Sequence, residues 1–166
     1  MLRSFGRLFR ASVVVPITAL AFLLLAACGT DPNVFHAGCD HISSIDVGDG
    51  LTPSIGWSPD CRVSSLAVYE ALPIPPPQPG EDPVPTLPGD QTPGYSGGSQ
   101  QWRITSPEVA GNLIEPSVRY GQVPGNADEQ QAAVPLMAGK HYIVELLTRP
   151  IDATHGATER RTVFER

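Results

Sequence analysis

Apolar positions along this chain fall into three regimes. From Ala11 to Ala27 nearly every position is apolar over about 17 residues, short for a membrane span and broken by Pro16. From about Ile42 onward apolar and polar residues alternate with a period of two, the mark of half-buried strands. Between Pro73 and Ser99 there is no period at all. The alternation is clearest about the turn dipeptide Asp49-Gly50, which is flanked by Ile42–Val47 and Thr52–Trp57. A hairpin closed about Gly50 sets Ile45 opposite Ile55, Val47 opposite Pro53, Ser43 opposite Trp57 and Cys39 opposite Cys61. Its odd-numbered face then carries Ile45, Val47, Ile55 and Trp57 as a buried face, with both cysteines at the open end.

Arg62–Leu72 continues as a strand in which Leu66 and Val68 alternate with Ala67 and Tyr69. Pro73–Ser99 holds nine prolines and five glycines in 27 residues. Proline cannot join a central ladder and favours extended polyproline conformations. The stretch reads as a solvent-exposed insertion outside any sheet, and Pro73-x-x-Pro76 is a weak signal for a proline-reading partner. Strand-like pieces resume at Trp102–Thr105, Leu113–Tyr120, Gln131–Leu136, Tyr142–Leu147 and Thr162–Phe164. Turn signals separate them at Ser106-Pro107, Gly121, Pro124-Gly125-Asn126, Ala138-Gly139 and Arg149-Pro150. Many short strands with regular punctuation predict an all-β sandwich. Asn126-x-x-Glu129 has the form of a helix capping box, with room for about one helical turn before Val134-Pro135.

The first apolar run changes what the rest of the chain implies. Arg3, Arg7 and Arg10 precede it and the small pair Ala26-Ala27 closes it, which is the layout of an export signal. The residue that follows is a cysteine, and Leu25-Ala26-Ala27-Cys28 resembles the lipobox of bacterial lipoproteins. That resemblance implies a diacylglyceryl group on the Cys28 sulfur and cleavage before it. Residues 1–27 are then a signal peptide, 28–37 with Asp31-Pro32-Asn33 a tether, and 38–166 the domain. Two acyl chains hold a protein on a membrane stably where one does so marginally. The implied address is the bacterial cell envelope, outside the cytoplasm. Gly29, rather than Asp, follows the cysteine, which favours the outer membrane in an organism that has one.

Removal of residues 1–27 leaves 139 residues, enough for one domain with a core. They carry 8 basic and 17 acidic side chains, a net charge of −9. Such a chain is a poor partner for nucleic acid or anionic headgroups. With Cys28 assigned to lipid, Cys39 and Cys61 remain as a pair in a compartment where disulfides persist. A bridge between them would add roughly 3 kcal/mol by chain entropy. The competing assignment is a metal set of His36, Cys39, His41 and Cys61. It lacks a matching second half, and the bridge is preferred.

Two stretches are similar to fibronectin type III and immunoglobulin-like sandwiches. Pro53-Ser54-Ile55-Gly56-Trp57 followed by Leu66-Ala67-Val68-Tyr69 resembles the second and third strands of a type III module, with a strand-borne Trp in the core. Leu136-Met137-Ala138-Gly139-Lys140-His141-Tyr142 resembles the turn into the sixth strand. There the Tyr hydroxyl bonds back to nearby backbone as a tyrosine corner, and Tyr142 takes that role here. Ala138 and Lys140 stand where Pro and Thr are usual, and Cys39–Cys61 would join the first two strands rather than the second and sixth. Without the insertion the domain is 102 residues long, near the ~100 of such modules. The family implies binding or spacing rather than a reaction, with no cofactor.

Gly94-Tyr95-Ser96-Gly97-Gly98 fits G-x-S-x-G on paper, but a nucleophile elbow needs a strand before it and a helix after it. Asp46-Val47-Gly48-Asp49-Gly50 lacks the acidic ladder of a calcium loop, and a turn accounts for it. His141 is expected at the surface, pointing away from Tyr142, and His155 in a loop without a ligand set. Glu115 and Glu145 have no partner at a spacing that implies paired carboxylates. Trp57 and Trp102 both lie in alternating strands and read as core; Trp102, if exposed, is the first candidate for a surface aromatic that contacts sugar or peptide. The expected function is a non-catalytic binding, adaptor or spacer module with an envelope protein or glycan as partner. A carbohydrate- or peptide-binding accessory protein is the alternative, and a small envelope hydrolase using Ser96 or a carboxylate pair is the weakest.

Overall fold

The computed structural model describes residues 39–76, 78–79, 90–150 and 156–166, and of 90 and 91 the backbone alone. Cys28 with its lipobox, the tether, His36, His155 and the middle of the proline-rich stretch lie outside the described residues. What is described is all β except for a 3-10 turn at Glu108–Ala110. The strands are β1 Ser44–Val47, β2 Ser54–Ser58, β3 Ser65–Pro73, β4 Asp90–Gln91, β5 Tyr95–Thr105, β6 Val118–Arg119, β7 Asp128–Gln131, β8 His141–Leu147 and β9 Glu159–Glu165. They form a three-stranded sheet in the order β1-β2-β6 and a six-stranded sheet in the order β4-β9-β8-β3-β5-β7. Every pairing is antiparallel except that of the short β4 with β9.

The two sheets close on one core. Ile45, Ile55, Trp57 and Val118 face it from the smaller sheet; Leu66, Val68, Trp102, Ile104, Tyr142, Val144 and Leu146 face it from the larger. These are the residues the period-two pattern assigns inward, because alternate side chains of a strand share a face. In β1–β2 the odd-numbered face is inward as expected, but the partners differ: Ile45 pairs with Trp57 and Val47 with Ile55. The register is displaced by two residues. The Gly48 amide donates to the Ser54 carbonyl at 2.8 Å, so residues 49–53 form the loop and the hairpin is centred on Leu51 rather than Gly50. It ends at a buried Pro53, which has no amide to give to the ladder. A shift of two preserves the face, whereas a shift of one would have inverted it.

Other expectations need correction: of Gln131–Leu136 only Gln131 is strand, at the end of β7, and Asp90–Gln91 within the insertion is strand β4. The insertion is not loop throughout: Tyr95–Ser99 belongs to β5, where Tyr95, Ser96 and Gly97 pair with Pro73, Leu72 and Ala71. The capping box caps no helix. Asp128–Gln131 is strand β7 against β5, and the Asn126 side-chain amide donates to the Leu113 carbonyl at 2.6 Å. Leu113–Tyr120 is strand only at Val118–Arg119, with a lone bridge from Ile114 to Val63, and Pro116 stands between the two.

The sandwich has two distinct ends. At one, the chain enters through Cys39, whose sulfur is bonded to that of Cys61 and lies 3.8 Å from the Arg62 carbonyl oxygen. Beside it the Thr158 hydroxyl donates to the Asp40 carbonyl at 2.9 Å, and Ser65 meets Leu147. At the other end the β3–β5 hairpin closes with Pro73 opposite Tyr95, and Arg166 donates to Lys140. Chain entry and hairpin tip are thus separated by the length of β3.

Candidate functional site

The residues singled out from the sequence are spread through the fold and do not converge. Cys39 and Cys61 are joined in a disulfide with their Cα atoms 5.4 Å apart. The bridge lies beyond the end of the β1–β2 ladder, after Ser58-Pro59. With both sulfurs committed to each other, the metal set that would have used them is dismantled. Trp57 is buried and its indole N–H donates to the Cys61 carbonyl at 2.7 Å, tying the core to the bridge. Tyr142 is buried too, and its hydroxyl accepts the Met137 amide at 2.8 Å, five residues upstream.

Trp102 is no surface aromatic. It is 0% exposed, packed edge-on against Tyr120 at 5.2 Å, with its indole N–H directed at Glu129 Oε1 at 3.3 Å. Its position on the inward face of β5, opposite Val68, leaves no ring surface for a ligand. Ser96 lies in a strand and its hydroxyl donates to the Leu72 carbonyl at 3.4 Å; no helix follows it, so the elbow geometry does not form. His141 stands on the outer face as expected, stacked on Tyr95 at 5.1 Å, with Nε2 3.8 Å from Glu165.

The outer face of the six-stranded sheet carries a constellation that no motif announced. Pairing aligns Arg103 of β5, Ala67 of β3, Glu145 of β8 and Arg161 of β9 in one row across the sheet. Tyr69 lies two residues along β3 from Ala67, next to Ile143. The Tyr69 hydroxyl donates to Glu145 Oε1 at 3.3 Å. Arg161 donates to Glu145 Oε2 through Nε at 2.8 Å and Nη2 at 2.6 Å, and Nη2 also meets Glu159 at 2.8 Å. Glu145 is only 8% exposed. A carboxylate so far out of water needs charged partners, since burial without them would cost several kcal/mol. Burial and the Glu145 charge both push the Tyr69 hydroxyl pKa above its ordinary value, burial first.

These groups line a cleft of about 300 Å³ together with Gly97, Gly98 and Ile143. Gly97 and Gly98 belong to β5, which β3 separates from β8 in the sheet order, so the outer half of the hairpin must bend over the face. Register shifts between Val68 and Tyr69 and between Tyr69 and Ala71 supply the bend, because an extra residue in one strand increases local twist. Glycine is required at 98: a Cβ there would stand 2.9 Å from Leu72 Cγ and 3.1 Å from the Glu70 carbonyl oxygen. At Gly97 a Cβ would meet nothing within 4 Å. A second, more open groove of about 430 Å³ includes Leu51, Thr52, Tyr120, Val134, Pro135 and Leu136. The Tyr120 hydroxyl in its wall already donates to the Val134 carbonyl at 2.6 Å.

One signal could have pointed to the cleft. Glu145 interrupts the apolar run Tyr142-Ile143-Val144-Glu145-Leu146-Leu147, and a carboxylate in such a strand demands a cation on a neighbouring one. The partner, Arg161, is set by the β8–β9 register, which spacing alone does not give. Compared with family models, with characterised proteins and with solved structures, the chain matches none.

Proposed function

We propose that this chain is a lipid-anchored protein of the bacterial cell envelope. Its one domain, of the immunoglobulin or fibronectin type III kind, is a non-catalytic binding or adaptor module. The observation that carries the reading is the end-to-end layout. The chain enters the sandwich at Cys39, eleven residues after Cys28, and the proline-rich hairpin opens at the far end of β3, about 30 Å away at 3.4 Å per residue. A lipid on Cys28 would tether the domain through the residues leading to Cys39 and leave exposed Leu72, near the other end of β3, within reach of a partner in the envelope. The type III assignment is supported by the sheet order: the first, second and sixth strands share one sheet, and the ninth, eighth and third are neighbours in the other. That matches the separation of strands A, B and E from C, F and G in such modules. The hydroxyl of Tyr142 bonded to backbone five residues upstream agrees with it.

The test uses intact cells. Wild-type protein is expected in the membrane fraction with acylated Cys28 at its N-terminus, whereas Cys28→Ala should accumulate uncleaved or leave the membrane. A photo-crosslinker at exposed Leu72 should capture an envelope protein or glycan that one at Asp40 does not. Normal cleavage and retention of the Cys28→Ala chain would refute the anchor.

A further inference from the structure

The cleft under the bent hairpin has the chemistry of a ligand site. We propose that it binds a neutral saccharide unit of an envelope glycan, with Tyr69 and Glu145 as the recognising groups. The chemistry of the ligand follows from the cleft; that its source is the envelope rests on the function proposed above.

Charge narrows the ligand first. Glu145 and Arg161 stand side by side in the wall. An anionic ligand would meet the buried carboxylate, and a cationic one the guanidinium. A neutral molecule rich in hydroxyls can donate to the carboxylate, and loses less on leaving water than an ion does. The carboxylate also has capacity left. Both short contacts from Arg161 fall on Oε2, while Oε1 holds the Tyr69 hydroxyl at 3.3 Å. That is long for an O–H···O bond, which is usually about 2.7–2.8 Å. A ligand hydroxyl donating to Oε1 would improve on it.

Shape agrees. About 300 Å³ lies at the small end of ligand sites, suited to one sugar ring rather than a long chain. The half-buried Tyr69 ring supplies apolar surface for the C–H face of a pyranose, and open space at Gly97 lets the sugar approach β5 backbone. An extended peptide fits less well. Peptides that dock on sheets add themselves to a free strand edge, but Tyr69, Ile143 and Glu145 stand on β3 and β8, which are paired on both sides.

The experiment titrates full-length protein in detergent with four tetrasaccharides, followed by calorimetry. Two are neutral, of N-acetylglucosamine and of glucose; one is cationic, of glucosamine; one is anionic, of galacturonic acid. At least one neutral probe should bind saturably, with a Kd tighter than about 1 mM. Gly97→Val fills the open space with a β-branched residue suited to a strand. It should weaken that binding tenfold or more and leave the urea midpoint unchanged. Tyr69→Phe, which keeps the ring and removes the hydroxyl, should weaken it three- to tenfold. The proposal is overturned if no neutral probe binds, if a charged one binds more tightly, or if Gly97→Val leaves affinity intact. Displacement of a bound glycan by a strand-forming peptide would also overturn it.

Discussion

Replacing both bridge cysteines, Cys39→Ala with Cys61→Ala, tests how the entry end of the sandwich is held. The bridge spans a sequence separation of 22 residues. Chain-entropy theory gives a loss of about 11 cal/mol/K for closing such a loop in the unfolded chain, or about 3.4 kcal/mol at 25 °C. Cys39 is also buried in the core beside Ile42 and Trp57, so trimming its sulfur adds a few tenths of a kcal/mol of lost burial. The total, about 3.5 kcal/mol, is a large fraction of the 5–15 kcal/mol that stabilises an ordinary domain. Replacing both residues avoids a free thiol and isolates the cross-link. Urea unfolding followed by tryptophan fluorescence should report it, because the Trp57 indole is hydrogen-bonded to the Cys61 carbonyl. The midpoint should fall, and the slope of free energy against urea should rise because the uncrosslinked chain exposes more surface when unfolded. Reduced wild type should behave like the double variant. A loss below about 1 kcal/mol with an unchanged slope would refute the entropic account and mean that the loop from Asp40 to Asp60 is held by packing alone.

Other expectations follow from buried groups. Trp102→Ala should cost about 3–5 kcal/mol in the same assay, as a truncation in the core; a loss under 1 kcal/mol would contradict its burial between the sheets. Tyr142→Phe leaves the Met137 amide without its acceptor and should cost about 1–3 kcal/mol, with no loss meaning that the amide finds another partner. At high pH the domain should weaken through Tyr120, whose pKa is pushed up to about 12, chiefly by burial and then by Tyr142, against the Val134 carbonyl that lowers it. The unfolded chain ionises that phenol near pH 10 and the folded one near 12. The contribution is therefore intact below pH 10 and lost between 10 and 12. Urea midpoints measured at pH 9 and 11 should show the fall, and Tyr120→Phe should reduce it; an equal fall in that variant would assign the effect elsewhere.

Period-two alternation made the two-sheet core legible because it reports the face of a residue and nothing finer. Ile45, Ile55, Trp57, Leu66, Val68 and Ile104 all point where the pattern puts them, even though the β1–β2 partners are displaced by two. Register depends on how the loop closes, and Gly48 bonding to Ser54 is a backbone choice that Asp49-Gly50 does not announce. The bridge was legible for a related reason: Cys39 and Cys61 lie at the open end of the hairpin, where Pro59-Asp60 lets the chain depart from the ladder. The β5 strand was hidden by composition. Glycine and proline normally argue against a strand, so Tyr95–Ser99 looked continuous with the proline-rich stretch. Gly98 is there because Leu72 and the Glu70 carbonyl leave no room for a Cβ, a constraint created by the partner strand and invisible along the chain.

The same reasoning explains why the candidate site could not be read in advance. Its groups come from β3, β5, β8 and β9, up to 92 residues apart between Tyr69 and Arg161, and only the sheet order brings them together. A motif search favours groups close in sequence, so it found Ser96, which points at a backbone carbonyl, and set aside Glu145, whose partners lie on two other strands. It follows that removing Pro75–Gly98 would do more than shorten a loop. The deletion takes away Tyr95 with its stack on His141, the Gly97 pairing with Ala71 and the wall of the cleft. The excised domain should therefore unfold at lower urea and lose any glycan binding together. An unchanged midpoint would show that the bent half of the hairpin is a decoration on the sheet rather than part of it.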